Sequence, residues 1–218
     1  MRVGVLGGTG PAGSGLALRL ADAGLDVVIG SRSAERAAEV CGQLQAQWPG
    51  RSLPFTGAEN EKAAEADLVV VATPWDSAST TAGSVADKLE GKVVISMANA
   101  LTRIGKEFVP LVPPRGSVAA HVACAASGAR VVAAFQHLPA KELADLDHPI
   151  DSDVLICSDD EDAAEEAAKL CRLIPDLRPL YAGSLANAAP IESLTAVLLQ
   201  LNVRYKTRAA VRLTGIEL

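Results

Sequence analysis

Short apolar runs alternate with amphipathic segments along most of the chain, a pattern typical of alternating strands and helices. The runs predicted to be strands cover residues 3–6, 25–29, 53–55, 67–72, 92–96, 130–135, 153–157 and 177–181. Helices are predicted between them, including residues 34–44, 61–66, 77–86 and 117–126. This order predicts an α/β fold in which helices cover both faces of a mostly parallel sheet.

The first apolar run leads into a glycine-rich turn and then a helix. Gly8, Gly10 and Gly13 form G-x-G-x-x-G in the strand–turn–helix context of a dinucleotide site. In such a site the glycines permit a tight turn, approach of a pyrophosphate and close helix packing. Pro11 suits the first helical position. We therefore predict a Rossmann-type doubly wound sheet whose cofactor-binding turn comprises Gly8, Thr9, Gly10, Pro11, Ala12 and Gly13.

The residues after the second strand indicate which cofactor binds. An NAD site usually has an acidic residue here, about 20 residues after the glycines, which binds the ribose 2′-hydroxyl. This chain has Ser31 and Arg32 instead, and Arg36 lies four residues further on. A hydroxyl and guanidinium groups suit a 2′-phosphate, so we predict NADP(H). The alternative is that Ser33 only caps the next helix and that the arginines are solvated.

Ligands of open parallel sheets bind beyond the carboxyl ends of the strands. Thr73, Pro74 and Trp75 follow one such strand, and residues 97–102 follow the next. The three residues are candidate neighbours of nicotinamide or ribose, although Trp75 is equally explained as a loop anchor. His137 follows the strand at 130–135 and is a candidate substrate contact, although most isolated histidines are structural.

Composition and charge exclude several other classes of protein. The chain has 218 residues, 49% of them hydrophobic, and a net charge of −6, which disfavours a nucleic-acid surface. Its four cysteines have neither metal-site nor redox spacing, so we expect reduced thiols and no metal. No apolar run reaches the roughly 20 residues of a membrane span. We therefore expect a cytoplasmic location.

An acidic loop at residues 145–153 predicts a boundary between two parts. Residues 1–150 are expected to form the NADP-binding domain and 151–218 a small C-terminal α/β part. Ser158 is predicted to cap a helix, with the acids at 159–162 in its first turn and not in a metal site. The last helix carries an apolar stripe that is expected to pack on the domain or on a second subunit: Leu194, Val197, Leu198, Leu201 and Tyr205.

The chain lacks the usual acid–base machinery of dehydrogenases. It contains no Tyr-x-x-x-Lys spacing, no large helical domain with a catalytic lysine and no Cys-His zinc site. A nucleotide site without such groups fits hydride transfer between two cofactors, with the protein supplying orientation and exclusion of water. Holding the reacting rings about 3–3.5 Å apart is then the main catalytic effect. We therefore predict no catalytic side chain.

The chain resembles the NADPH-dependent reductases of coenzyme F420, a deazaflavin. The resemblance covers essentially the whole length and rests on LGGTG (6–10), GSR (30–32), TPW (73–75), AAFQHLPA (133–140), AGSLAN (182–187), ESLT (192–195) and LNVRYK (201–206). It implies a homodimer and a C-terminal part that completes the deazaflavin site and the dimer interface. The family in turn resembles the reductase module of membrane metalloreductases.

The same resemblance assigns candidate site residues. The turn from Thr9 to Ala12 is implied to bind the pyrophosphate, and Ser31, Arg32 and Arg36 the 2′-phosphate. Loops at Trp75, Leu101 and Ala140 are implied to line the nicotinamide side, with the deazaflavin near Gln136, His137, Leu138 and Pro139. Archaeal members have histidine and threonine where this chain has Gln136 and His137.

The implied activity is hydride transfer between NADPH and F420. One alternative is an NADPH-dependent reductase of flavin or another small acceptor. The other is a non-enzymatic module that senses NADP, although the chain has no appended effector domain.

Overall fold

The computed structural model describes residues 1–216 of the chain. Within them the strands are β1 Arg2–Leu6, β2 Asp26–Ser31, β3 Phe55–Glu59, β4 Leu68–Val71, β5 Val93–Ser96, β6 Leu101–Ile104, β7 Glu107–Pro110, β8 Arg130–Ala133, β9 Ser152–Ser158 and β10 Leu177–Tyr181. The helices are α1 Pro11–Asp22, α2 Ala34–Gln47, α3 Asn60–Ala63, α4 Trp75–Gly83, α5 Ala86–Leu89, α6 Val118–Ala125, α7 Ala140–Leu143, α8 Glu161–Arg172 and α9 Ala188–Tyr205. The 3-10 turn Leu185–Asn187 precedes α9.

The predicted doubly wound sheet is confirmed. Eight strands form one sheet in the order β10-β9-β8-β5-β4-β1-β2-β3. Every neighbouring pair is parallel except β8 and β9, which run antiparallel. The chain order reverses between β1 and β4, so the loops that follow these strands open a crevice at the switch point.

Local sequence chemistry explains where the first helices begin. Gly10 is the N-cap of α1 and Pro11 its first residue, as predicted. Ser33 caps α2, since its Oγ accepts a hydrogen bond from the Arg36 backbone N–H at 3.2 Å. The cap therefore exists, and it is compatible with a role for the neighbouring arginines in binding.

The core consists of two apolar layers, one on each face of the sheet. Small and aliphatic side chains dominate both layers, and Phe135 is the largest fully buried side chain. Its backbone lies in the left-handed region, at φ 65°, where the chain leaves β8 for the loop at 136–139. A chain with few aromatic residues thus fills its interior mainly with Ala, Val, Leu and Ile.

Two features differ from the predictions. Residues 101–110 form the antiparallel hairpin β6–β7, where no strand was predicted. Pro110 is tolerated because it ends the outer strand of a two-stranded hairpin. Ser158 is not the cap of α8: Asp160 is, accepting from the Ala163 N–H at 2.9 Å. The Ser158 hydroxyl instead donates to the Val131 carbonyl at 2.8 Å.

The segment after residue 150 continues the main sheet. Its strands β9 and β10 form one edge of the eight-stranded sheet, and α8 packs on both of them. The division into a domain at 1–150 and a small part at 151–218 therefore remains a prediction about folding units.

Candidate cofactor site

The glycine turn is shaped by close contacts with neighbouring backbone. Gly7 has φ 68°, and the Gly8 N–H donates to the carbonyls of Val5 at 3.1 Å and Gly30 at 2.9 Å. A Cβ on Gly13 would lie 2.8 Å from the Ala72 Cβ, so a side chain would push α1 away from the sheet. Gly8 and Gly13 thus shape the turn, and neither is among the residues that line the adjoining cleft.

Gly10 faces open space. The nearest atom to a Cβ on it is the Gly7 carbonyl oxygen, 3.8 Å away. Because α1 starts at Pro11, the N–H groups of its first turn have no acceptor within the helix. These groups belong to the wall of a cleft of about 810 Å³, to which Thr9, Gly10, Pro11 and Ala12 contribute. A pyrophosphate is a suitable ligand for such a helix terminus.

The residues predicted to bind a 2′-phosphate lie at this same cleft. Ser31, Arg32 and Arg36 all line it. Ser31 is buried and Arg32 is exposed. Within residues 1–216 Arg32 forms no ion pair, whereas Arg36 pairs with Glu39 at 2.6 Å. The Arg32 guanidinium is thus the more available of the two for an anionic ligand.

Thr73, Pro74 and Trp75 also line the cleft, on the opposite side of the switch point. Trp75 is 36% exposed and begins α4. The Thr73 hydroxyl is buried without a partner in the described part of the chain. This side of the cleft therefore combines an aromatic face with an unpaired polar atom.

The residues of the cleft that sequence reasoning missed include Asn60, Ser77 and Thr81. Asn60 is the first residue of α3, and its side-chain carbonyl accepts a hydrogen bond from the Gly7 N–H at 3.0 Å, which supports the glycine turn. Ser77 and Thr81 are four residues apart on α4, directly after the predicted loop. The four-residue spacing of Ser77 and Thr81 could have indicated that both face the cleft. No local pattern could have indicated Asn60, because its partner Gly7 is 53 residues away in sequence.

A second cavity of about 220 Å³ adjoins the cleft and shares Ala12, Met97 and Asn99 with it. Leu101 and Ala140 line this second cavity and not the main cleft. The predicted deazaflavin residues line it as well: Gln136, His137, Leu138 and Pro139.

Helix α9 closes the second cavity with Thr195, Leu198 and Asn202. The Thr195 hydroxyl donates to the Asn99 side-chain carbonyl at 3.2 Å, and the Asn99 amide donates to the Gln136 backbone carbonyl at 2.6 Å. These bonds join α9 to the loops after β5 and β8. Thr195 was part of the family resemblance but not of the predicted site.

Gln136 and His137 line this second cavity and carry buried polar atoms that have no partner in the described part of the chain. Both residues are at least 96% buried, and neither polar atom of the Gln136 amide has a partner within residues 1–216. His137 Nε2 lies 2.8 Å from the Asp153 carbonyl oxygen, so Nε2 carries the proton and Nδ1 remains an acceptor. Burial lowers the pKa of His137, which keeps the imidazole neutral.

Glu192 anchors α9 to the domain. Its carboxylate accepts from the backbone N–H groups of Val118 at 2.8 Å and Ala119 at 3.1 Å, at the start of α6. Burial raises the pKa of Glu192 to about 7. Since Thr195 lies one helical turn further along α9, this anchor also sets the position of the second cavity's wall.

The described residues provide no evidence for a metal or membrane role. Within residues 1–216 no group of three or more His, Cys, Asp or Glu side chains is placed to hold a metal ion. Asp160, from the acidic run at 159–162, is paired with Arg130 at 2.7 Å. Among the helices described, none is long and apolar enough to span a bilayer.

The doubly wound sheet, the helix terminus and the arginine beside β2 define a protein of the dinucleotide-binding class. Comparison with known proteins identifies the group. A model of the family "NADP oxidoreductase coenzyme F420-dependent" matches residues 2–100. The F420-dependent NADP reductase of Methanocaldococcus jannaschii is 37% identical to this chain over 224 aligned residues, and the alignment covers 100% of each chain. The chain belongs to this family.

Other relatives agree with that assignment. The F420-dependent NADP reductase of Methanothermobacter thermautotrophicus is 37% identical over 99% of this chain and 96% of its own. A solved structure from Arthrobacter sp. FB24, provisionally described as an F420-dependent NADP reductase, has a TM-score of 0.79 and 26% identity, covering 97% and 98% of the two chains. The rat metalloreductase STEAP3 is 29% identical over 91% of this chain but only 37% of its own length.

Proposed function

We propose that the protein transfers a hydride between NADPH and coenzyme F420. One observation carries this proposal: the dinucleotide cleft and the second cavity meet at Ala12, Met97 and Asn99. Two ring systems bound in the two spaces come together at this junction. Family membership and full-length similarity to F420-dependent NADP reductases support the identity of both coenzymes.

The cleft fits NADP(H) in its charge and shape. The first turn of α1 offers unpaired N–H groups to the pyrophosphate, and Ser31 and Arg32 suit the 2′-phosphate. Arg36 is a weaker contributor because it already pairs with Glu39. Trp75 provides an apolar face for the ribose and nicotinamide end of the cleft.

The second cavity fits the polar edge of a deazaflavin. The Gln136 amide offers a donor and an acceptor, and His137 Nδ1 offers a second acceptor, all without partners in the described structure. Buried polar atoms of this kind are costly unless a ligand pairs with them. Leu138, Pro139 and Leu198 supply apolar surface that excludes water.

Hydride donation and acceptance are the chemistry that the two coenzymes supply when bound. The protein's own residues are proposed to bind, orient and desolvate the rings. His137 stays neutral through burial, and its Nε2 proton is held by the Asp153 carbonyl. The Asn99–Gln136–Thr195 hydrogen bonds fix the separation of the two cavities.

A flavin is the second candidate acceptor, because its pyrimidine edge carries the same hydrogen-bonding groups as that of a deazaflavin. Purified protein with NADPH should reduce F420 much faster than flavin at equal concentration. Reduction of flavin alone would favour this alternative, and no reduction of either would contradict the proposed activity.

We propose that the protein forms a homodimer through α9. Val197, Leu201 and Tyr205 are 53%, 38% and 67% exposed in the protomer and lie along one face. Leu198 is buried within the protomer. In the proposed dimer, the predicted stripe would therefore pack partly on its own domain and partly on the second subunit. Sedimentation at twice the 22.5 kDa protomer mass is expected, and a monomer at assay concentration would contradict this. A cytoplasmic location remains a prediction from sequence.

A further inference from the structure

A third cavity of about 520 Å³ extends the second cavity towards solvent. The two share Pro139, Ala140, Leu199 and Asn202. A ligand whose ring occupies the second cavity therefore has a continuous path along α9 into the third.

The lining of this third cavity is basic. Lys141, Lys206 and Arg208 contribute cations, and no carboxylate is among the described residues that line it. Such a cluster is unusual in a chain with a net charge of −6. Arg208 pairs with Glu142 at 2.8 Å, whereas Lys141 and Lys206 are exposed and form no ion pair within residues 1–216. Two positive charges therefore remain available to a ligand.

Tertiary contacts hold the walls of the cavity in place. The Phe108 N–H donates to the Gln200 side chain at 3.2 Å, which fixes the β6–β7 hairpin against α9. Lys206 ends α9 in the left-handed conformation, at φ 52°. The Thr207 N–H then bonds back to the Asn202 carbonyl at 3.3 Å, and the chain returns towards α7. The basic residues thus converge on one groove.

We propose that this groove, formed by Lys141, Lys206 and Arg208 with Phe108 and Asn202, binds the anionic side chain of F420. The inference rests on the proposed function. Coenzyme F420 carries a ribityl chain, a phosphodiester and glutamate carboxylates, and the last two are anions that lysine and arginine bind. The ring occupies the second cavity, and its side chain leaves beside Pro139 and Leu199 to reach the cations.

The groove also remains accessible in the proposed dimer. Leu199, Asn202 and Lys206 follow the spacing of one helical face, and Val197, Leu201 and Tyr205 follow that of another. At roughly 100° per residue the centres of the two faces are about a third of a turn apart. Dimerisation through the apolar face therefore leaves the basic face open.

The test compares F420 with FO, the same deazaflavin with its ribityl chain but without phosphate and glutamates. The wild-type KM for F420 should be lower than that for FO, and added salt should raise only the former. Lys141→Gln and Lys206→Gln should each raise the ratio of the KM for F420 to that for FO. The expected rise is about threefold to fivefold, the size of effect that follows from loss of one exposed charge contact. Lys169→Gln on α8 is the matched control, because it removes a charge outside the groove.

Three outcomes separate the possibilities. Equal wild-type KM values for F420 and FO, with no effect of either substitution, would overturn the groove assignment and leave the hydride-transfer activity standing. Equal rises in both KM values would indicate a disturbed ring cavity and would also overturn it. Absence of reduction of both compounds by the wild-type protein would instead refute the proposed function.

Discussion

Replacement of Arg32 by alanine should weaken NADPH binding far more than NADH binding without harming the fold. Arg32 follows β2 at the rim of the cleft, is exposed, and has no ion-pair partner within residues 1–216. Its removal therefore breaks no described contact within the protein. Any loss of binding comes from the missing interaction with the ligand.

The expected magnitude follows from the kind of contact. A hydrogen bond to a charged group contributes about 1.5–3 kcal/mol, or roughly tenfold to a hundredfold in affinity. Only NADPH has the 2′-phosphate, so NADH binding should stay nearly constant. Arg36→Ala should cost less, because the Arg36 guanidinium already pairs with Glu39 at 2.6 Å.

Titration of the protein with NADPH and NADH, followed by nicotinamide fluorescence, measures both affinities. Arg172→Ala is a suitable control, since Arg172 pairs with Glu165 on α8, away from the cleft. Equal losses for the two cofactors in Arg32→Ala would refute a 2′-phosphate role. An unchanged NADPH affinity would refute it as well.

Two further predictions concern packing and pH. Gly13→Ala should lower the melting temperature and the NADPH affinity, because its Cβ would lie 2.8 Å from the Ala72 Cβ. The control is Gly42→Ala on α2, whose Cβ would meet nothing within 4 Å and which should stabilise the protein by up to about 1 kcal/mol. Similar melting temperatures for the two variants would contradict this reasoning. The pKa of Glu192 is raised from 4.5 to about 7 in the folded state, so between these pH values the folded protein binds a proton that the unfolded chain does not. The free energy of unfolding should therefore fall by up to about 3 kcal/mol as pH rises through that window. Urea unfolding from pH 5 to 8 should show this decline in the wild type and a smaller one in Glu192→Gln, and equal slopes would exclude Glu192 as its source.

The sequence was most informative where chemistry is local. The strand, glycine turn and Pro11 predicted the start of α1, and the missing acid after β2 drew attention to Ser31 and Arg32. Each of these signals lies within a few residues of the feature it predicts. The cleft that the structure places around them agrees with those predictions of position.

Features that depend on distant partners were not predictable. The β6–β7 hairpin is held by Gln200, which is 92 residues from Phe108. Asn60 and Thr195 reach the site from elements that are remote in sequence. Hydrophobic periodicity also gives no strand direction, so the antiparallel placement of β9 beside β8 left no trace in the pattern. The two-cavity arrangement emerges only when these elements pack together.

The most direct test of the central claim is reduction of F420 by the purified protein. We expect NADPH to bleach the visible absorbance of F420, with much slower bleaching by NADH at the same concentration. The junction at Ala12, Met97 and Asn99 is the place where the two rings are expected to meet. Unchanged absorbance with active F420 and NADPH would contradict hydride transfer between these two coenzymes.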